Sequence, residues 1–173
     1  MTRKDISEIF ALLALAYPNA EIFKEKDPRQ LMEKLAPTIA LWAACLSDVD
    51  MWIAKQAVVK LCQTCKFPPT IAEMRESANA VQEEIEREID IAYSMARNNL
   101  MVAETLRERP ADTLRTMPER TRKTIEAMGG LDAFMPPDKP VFNMDGFKRT
   151  YERLLRTNPV GISAVASAPR LTD

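Results

Sequence analysis

The residues best suited to chemistry are two cysteines, Cys62 and Cys65, spaced as C-x-x-C. A structural zinc ion takes four ligands, whereas the chain offers one further cysteine, Cys45, and no histidine. A thioredoxin-like redox pair needs this motif at a strand-to-helix junction, but here it ends a helical pattern. Because residues three apart share a helix face, the spacing favours two small buried thiols in a helical core.

An acidic run is the second candidate, and it comprises Glu83, Glu84, Glu86, Glu88 and Asp90. Hard cations bind where several oxygens converge, whereas neighbouring residues of a helix spread around its circumference. We therefore interpret the run as a solvated helix face and not as a metal site.

Motifs for catalysis and for nucleotide binding are missing from the sequence. The absence of histidine excludes Ser-His-Asp and Cys-His nucleophile systems and leaves only carboxylates for catalysis. Neither G-x-x-x-x-G-K-[ST] nor G-x-G-x-x-G occurs. We predict a binding protein that is not an enzyme, with no catalytic residues, no metal and no cofactor.

Charge and cysteine content limit which partners and which cellular compartment we expect. Lys and Arg number 24 and Asp and Glu number 25, so no overall basic field attracts nucleic acid, and direct binding to it is not expected. Three cysteines without a signal peptide indicate reduced thiols. No apolar run approaches the roughly 20 residues of a membrane span. We expect a soluble cytoplasmic protein.

The elements that must position these residues are helices, because aromatic residues make up 6% of the chain and glycine occurs only four times. Asp5 with Glu8 predicts the first helix cap, and Pro18 predicts its end at Tyr17. A second helix opens at Asp27-Pro28 and contains Pro37, which predicts either a kink or two shorter helices. A third helix follows from about residue 50 to residue 66.

A rigid corner, Phe67-Pro68-Pro69, precedes the strongest local signal, the capping box Thr70-Ile71-Ala72-Glu73. We expect Trp42 of the second helix and Phe67 of the corner to be buried. Residues 1–76 are predicted to form a small helical N-terminal domain.

A long connecting helix is predicted over residues 71–109, since no helix breaker occurs before Pro110. Its outer part should pack on another helix, either in this chain or in a second copy, so self-association is possible; alternatively, the helix breaks at Asn98-Asn99. Two series of mostly apolar residues repeat every seven positions; Asn99 and Glu88 are their polar members. The first series is at 71, 78, 85, 92, 99 and 106, and the second is at 74, 81, 88, 95 and 102, with 89, 96 and 103 beside it.

The remaining residues, 110–158, are predicted to form a C-terminal helical arm, followed by a disordered tail at 159–173. Pro118 opens a helix that Gly129-Gly130 ends. Pro136, Pro137 and Pro140 make an extended linker. Asp145 is predicted to cap a final amphipathic helix.

This final helix carries the predicted partner-binding residues. Its apolar side is rimmed by arginine, a composition that is favoured at protein–protein interfaces. The alternative is that the helix packs on its own chain. The predicted set is Phe147, Arg149, Tyr151, Arg153, Leu154, Leu155 and Arg156.

Residues 1–76 resemble the phage replicative-helicase loader/inhibitor proteins of the replisome-organiser type. The most specific matching segment is K-F-P-P-T-I-A-E-M-R-E at residues 66–76; shorter matches are Ala16-Tyr17-Pro18, Leu41-Trp42, Leu46-Ser47-Asp48 and Ala57-Val58.

The resemblance implies an all-α adaptor whose C-terminal region engages a hexameric DnaB-like helicase in the bacterial host cytoplasm. It also implies delivery of the inhibited helicase to a phage origin with an origin-binding initiator protein, and no ATPase activity.

Two other functions stay open, a DNA-binding replication-initiation protein and a structural coiled-coil partner. The acidic central helix and the balanced net charge weigh against the first function. The capped N-terminal domain weighs against the second.

Overall fold

The structure is a computed structural model that describes residues 1–25, 27–137 and 141–157, and these residues form helices and loops without any strand. The predicted all-α class is confirmed. Parts of the proline linker and the predicted tail at 159–173 lie outside the described residues. The helices are α1 (Arg3–Ala16), α2 (Pro28–Cys45), α3 (Met51–Thr64), α4 (Ile71–Thr105), α5 (Pro110–Thr116), α6 (Glu119–Met128), α7 (Leu131–Phe134) and α8 (Met144–Thr157), with a 3₁₀ turn at Glu21–Phe23.

The chain divides into two compact units, Met1–Glu84 and Ile85–Asp173, and α4 supplies residues to both. Among the described residues, no helix is both long and apolar enough to cross a membrane.

The cap of helix α1 is Thr2, three residues before the predicted cap, Asp5. The Thr2 hydroxyl accepts a hydrogen bond from the Asp5 N–H, and the Asp5 carboxylate accepts one from the Thr2 N–H. These hydrogen bonds lower the pKa of Asp5. Asp5 is therefore the third-position partner of a capping box and not the cap itself. The helix ends at Ala16, before Pro18, as predicted.

Helix α2 runs as a single helix through Pro37, so the predicted alternative of two shorter helices is wrong. Pro37 cannot donate to the carbonyl one turn before it. Buried side chains on both sides of that position, Leu35 and Ile39, hold the helix to the core despite the lost hydrogen bond.

The core of the first unit is built around Phe10 of α1. Its ring meets Trp42 of α2 edge-on, with ring centroids 5.1 Å apart, and Phe23 from the 3₁₀ turn at 6.3 Å. Ile53 and Leu61 of α3 add aliphatic surface to this core. Trp42 is 6% exposed, so its predicted burial is confirmed.

Phe67 is 78% exposed, and its predicted burial is wrong. In the corner it begins, the buried residue is Pro69. Next to it, the Thr70 capping box forms as predicted, because the Thr70 hydroxyl accepts from the Glu73 N–H and the Glu73 carboxylate accepts from the Thr70 N–H.

Arg75 ties the start of α4 to the turn between α2 and α3. Its guanidinium donates to both carboxylate oxygens of Asp48, at 2.8 and 3.0 Å, and to the carbonyl of Cys45 at the end of α2. The Arg75 hydrogen bonds lower the pKa of Asp48 to about 2. This fork-like pairing gives the helix a defined attachment.

Helix α4 is continuous across Asn98-Asn99, the predicted point of a break, and ends at Thr105. Arg107 adopts a left-handed conformation with φ of 57°, and the Glu108 N–H donates back to the Ala103 carbonyl. This backbone pattern ends a helix. The predicted continuation to residue 109 therefore does not form.

In the second unit, α6 ends where the sequence predicted. Gly129 lies in the left-handed region with φ of 111°, a conformation that glycine adopts without steric cost. Helix α8 begins one residue before the predicted cap, Asp145. The side chain of Asn143 accepts a hydrogen bond from the Gly146 N–H, at 2.9 Å, as a capping residue does.

A first prediction compares the two aromatic residues of the first unit. Trp42→Ala should lower the free energy of unfolding by about 3–5 kcal/mol, because a large buried ring leaves a cavity. Phe67→Ala should change it by less than about 0.5 kcal/mol, because its ring faces solvent. Urea denaturation followed by circular dichroism measures both changes, and an equal loss for the two variants would contradict this core.

A second prediction concerns the Asp48–Arg75 pair. Arg75→Ala should raise the pKa of Asp48 from about 2 toward its usual value of 3.8. Because the folded-state pKa is the lower one, the pair stabilises the fold above about pH 4, and this contribution is lost as the pH falls toward 2. Carboxyl NMR titration measures the shift. Arg29→Ala is the control, and an unshifted Asp48 in Arg75→Ala would contradict the pairing.

Candidate functional site

The apolar side of α8, predicted to bind a partner, lies in the core of the second unit. Phe147, Tyr151 and Leu155 recur at helical spacing and are at most 6% exposed. The Phe147 ring lies 5.4 Å from that of Phe134 in α7 and 5.7 Å from that of Tyr93 in α4. The predicted alternative, in which this helix packs on its own chain, is what the structure shows for these three residues.

A polar network joins three helices around Tyr151. The Tyr151 hydroxyl donates to Oε1 of Glu88 in α4 at 2.9 Å, and Nη1 of Arg120 in α6 donates to the same oxygen at 2.6 Å. The Arg120 guanidinium also lies 5.9 Å from the centre of the Tyr151 ring. Burial first, and the Glu88 carboxylate second, raise the pKa of Tyr151 to about 12. The network holds α4, α6 and α8 together through a neutral phenol.

The other predicted partner-binding residues lie outside this core. Leu154 is half-buried, and Arg149, Arg153 and Arg156 are exposed. Arg156 pairs with Glu152 one turn earlier at 2.8 Å. What α8 presents to solvent is therefore a basic surface in place of the predicted aromatic anchor. The role of these residues in partner binding stays a prediction.

The candidate chemical residues are dispersed. Cys62 and Cys65 are half-buried free thiols, and the Tyr17 hydroxyl donates to the Cys65 carbonyl at 3.2 Å. Burial raises the pKa of the Cys62 thiol, and it raises the pKa of Tyr17 to about 12. Within the part of the chain that the structure describes, no three metal-ligating side chains come together.

The acidic run is only partly a solvated face. Glu83 and Glu86 are exposed, as predicted. Glu88, however, is half-buried against Arg120, and Asp90 pairs with Lys148 of α8 at 2.8 Å. Glu84 also pairs with Lys60 of α3. The sequence pattern did not reveal that three of these carboxylates have basic partners far along the chain.

Large apolar side chains are exposed in both units, and they are the surfaces available to a partner. In the first unit, Leu15, Leu41 and Phe67 are more than half exposed. In the second unit, Val141 and Met144 are exposed at the start of α8, and the other exposed side chains come from α4 and its end: Ile91, Met95, Met101, Val102 and Leu106. The sequence analysis assigned Met95, Val102 and Leu106 to the seven-residue series of α4 but did not predict that their side chains are exposed.

A third prediction tests the buried side of α8. Tyr151→Ala should cost about 3–5 kcal/mol of stability through the cavity it leaves, whereas Tyr151→Phe should cost about 1 kcal/mol through the lost hydrogen bond. The phenol pKa is higher in the folded state than its unfolded value of about 10. The stabilisation of the fold by the neutral Tyr151 phenol is therefore complete below pH 10 and is lost as the pH rises toward 12.

Urea denaturation at pH 8 and at pH 11 measures this prediction. The difference in free energy of unfolding between the parent and Tyr151→Phe should be smaller at pH 11 than at pH 8. Leu154→Ala is the control, because truncation at a half-buried position should lower the free energy of unfolding less than Tyr151→Ala does. A gap that is constant with pH, or a harmless Tyr151→Ala, would contradict the network.

Comparison with known proteins finds a match for most of the first unit. Residues 1–75 match the family model of the N-terminal domain of gp39P, a phage helicase loader/inhibitor. No curated protein and no solved structure matches the chain significantly. The matched segment ends at Arg75, so it includes the Thr70–Glu73 capping box and the hydrogen bonds between Arg75 and Asp48. The resemblance that the sequence predicted is confirmed over this segment. Over residues 1–75, the chain is therefore similar to the N-terminal domain of a phage helicase-associated family.

Proposed function

We propose that this chain is a non-enzymatic phage replication adaptor that binds a hexameric DnaB-like replicative helicase and controls its loading at an origin. The observation that carries the proposal is the gp39P-type N-terminal domain at residues 1–75. The all-helical architecture and the sequence's lack of phosphate-binding motifs are compatible with a binding protein.

Control of a helicase requires different affinities for different states of its ring. A ligand shifts an equilibrium only by the difference between its affinities for the two states. An inhibitor that also delivers the helicase must therefore prefer the closed or inactive ring, and it must be released when an origin-bound initiator favours the other state. No step of this cycle needs catalysis by the adaptor.

The exposed side of α8 is our proposed contact for the helicase. Arg149 and Arg153 are exposed and lie one turn apart, and Leu154 beside them is half-buried. Guanidinium groups recognise carboxylates through paired hydrogen bonds. Phe147, Tyr151 and Leu155 are assigned to the fold of the second unit, since they are buried within it.

A fourth prediction tests the function and the contact separately. The purified full chain should bind the purified host helicase and lower its ATPase rate, and Arg149→Glu with Arg153→Glu should weaken this binding at least about tenfold. Arg115→Glu with Lys123→Glu makes the same charge change on α5 and α6 and should bind as the parent does. Isothermal titration calorimetry measures the affinities.

The failures of this experiment are distinguishable. Absence of helicase binding by the parent would contradict the adaptor function itself. Parent binding that survives the α8 charge reversal would move the contact to another surface. Submicromolar, salt-sensitive binding to duplex or single-stranded DNA at about 150 mM salt would instead support a DNA-binding initiator.

A further inference from the structure

Two of the four basic side chains on α8 are neutralised by carboxylates of the same chain. The Nζ atom of Lys148 lies 2.8 Å from a carboxylate oxygen of Asp90 in α4. The guanidinium of Arg156 lies 2.8 Å from the carboxylate of Glu152, one turn earlier on α8. Opposite charges in contact leave little net charge for a partner to recognise. The charge that α8 presents to a partner is therefore determined by its other two basic residues.

These two residues, Arg149 and Arg153, are exposed and lie four positions apart. Among the residues that the structure describes, neither of them forms an ion pair, although Asp145 lies one turn before Arg149. Like charges at this spacing on a helix repel each other. A ligand with two negative charges would be attracted by both guanidiniums and would relieve the repulsion between them.

The chemistry of the two groups favours carboxylates at a matching separation. A guanidinium presents a planar fork of N–H donors that fits the two oxygens of one carboxylate. The Cβ atoms of residues four apart on a helix are separated by about 5–6 Å. Two acidic residues four apart on a partner helix have the same separation, so each carboxylate can meet one guanidinium.

Acidic side chains around the pair disfavour a long polyanion. Asp145 is exposed one turn before Arg149, and Glu152 is half-buried next to Arg153. Duplex DNA carries about one negative charge per 1.7 Å of its axis, so a bound duplex would bring further phosphates beside these carboxylates. A protein surface with two carboxylates needs no further anion there. The local charges therefore favour an acidic protein surface over nucleic acid.

We propose that the helicase surface that docks on α8 presents two carboxylates about 5–6 Å apart, and that Arg149 and Arg153 each bind one of them. This inference rests on the proposed function and names the chemistry of the partner surface. It also adds a geometric requirement: each site needs the donor fork of arginine, and positive charge alone does not replace it.

A fifth prediction tests the donor fork. Arg149→Lys with Arg153→Lys keeps both charges but removes both forks, so the full chain should bind the purified host helicase at least about fivefold more weakly. Arg97→Lys with Arg115→Lys is the matched control, since both arginines are exposed in the second unit, and this variant should bind as the parent does. Isothermal titration calorimetry measures the affinities.

Circular dichroism accompanies these titrations. All four substituted arginines are exposed, so both double variants should keep the helix content of the parent. A lysine variant that is folded and binds the helicase as tightly as the parent does would overturn the requirement for the fork.

The carboxylates on the helicase are identified by charge reversal. Pairs of exposed acidic residues with this separation on the helicase are changed to arginine, one pair at a time. One reversed helicase should bind the parent at least about tenfold more weakly and should regain affinity for the Arg149→Glu, Arg153→Glu variant. Such a double-mutant cycle reports direct coupling between the two pairs.

The failure of this inference is distinguishable from the failure of the proposed function. Absence of helicase binding by the parent would contradict both. Helicase binding that the Arg149→Glu, Arg153→Glu variant loses, and that no reversed acidic pair restores, would overturn the paired carboxylates and leave the adaptor function standing. Salt-sensitive binding of duplex DNA by the parent that the same variant loses would assign the two guanidiniums to phosphates.

Discussion

The structure depends on the requirement that one helix of 35 residues bury apolar surface along nearly its whole length. In the first unit, α4 buries Met74, Ala78 and Val81, and in the second it buries Ile89, Ala92, Ala96, Leu100 and Ala103. Helices gain most of their stability from such packing and less from local propensity. Each unit is therefore completed by its own part of α4.

The two units use polar groups in different ways to hold α4. In the first unit, Arg75 makes a charged fork with Asp48 near the surface, where solvent weakens the gain. In the second unit, Glu88 lies between the Tyr151 phenol and the Arg120 guanidinium at the edge of an aromatic cluster. Because that cluster excludes water from Tyr151, the position of the carboxylate helps to determine how α6 and α8 approach α4.

The family match and the proposed helicase contact fall in different units of the chain. Residues 1–75 match the family model of the gp39P N-terminal domain, which belongs to a phage helicase-associated family. The second unit contains α8, whose exposed arginines were predicted to contact a partner.

Sequence alone determined the features that depend on neighbouring residues. The all-α class, the Thr70–Glu73 capping box, the end of α1 before Pro18 and the glycine-terminated α6 all follow from local hydrogen bonding and backbone geometry. The resemblance over residues 66–76 followed as well, because a rigid corner joined to a capping box is a local motif. The caps at Thr2 and Asn143 lie three and two residues before the predicted caps, Asp5 and Asp145, because nearby residues of similar chemistry compete for the capping position.

Tertiary structure decided which side of each element faces a neighbour. Phe67 and Phe147 each stand next to a lysine in the sequence, yet one is 78% exposed and the other is buried. The seven-residue series of α4 also changed environment along the helix: Met74 and Val81 are buried, whereas Met95 and Val102 are exposed. An α-helix drifts by about 20° at each seven-residue step, and the buried positions follow the 3.6-residue turn in contact with distant helices. The partners of Glu88, more than 30 residues away along the chain, depend on those contacts and not on any local pattern.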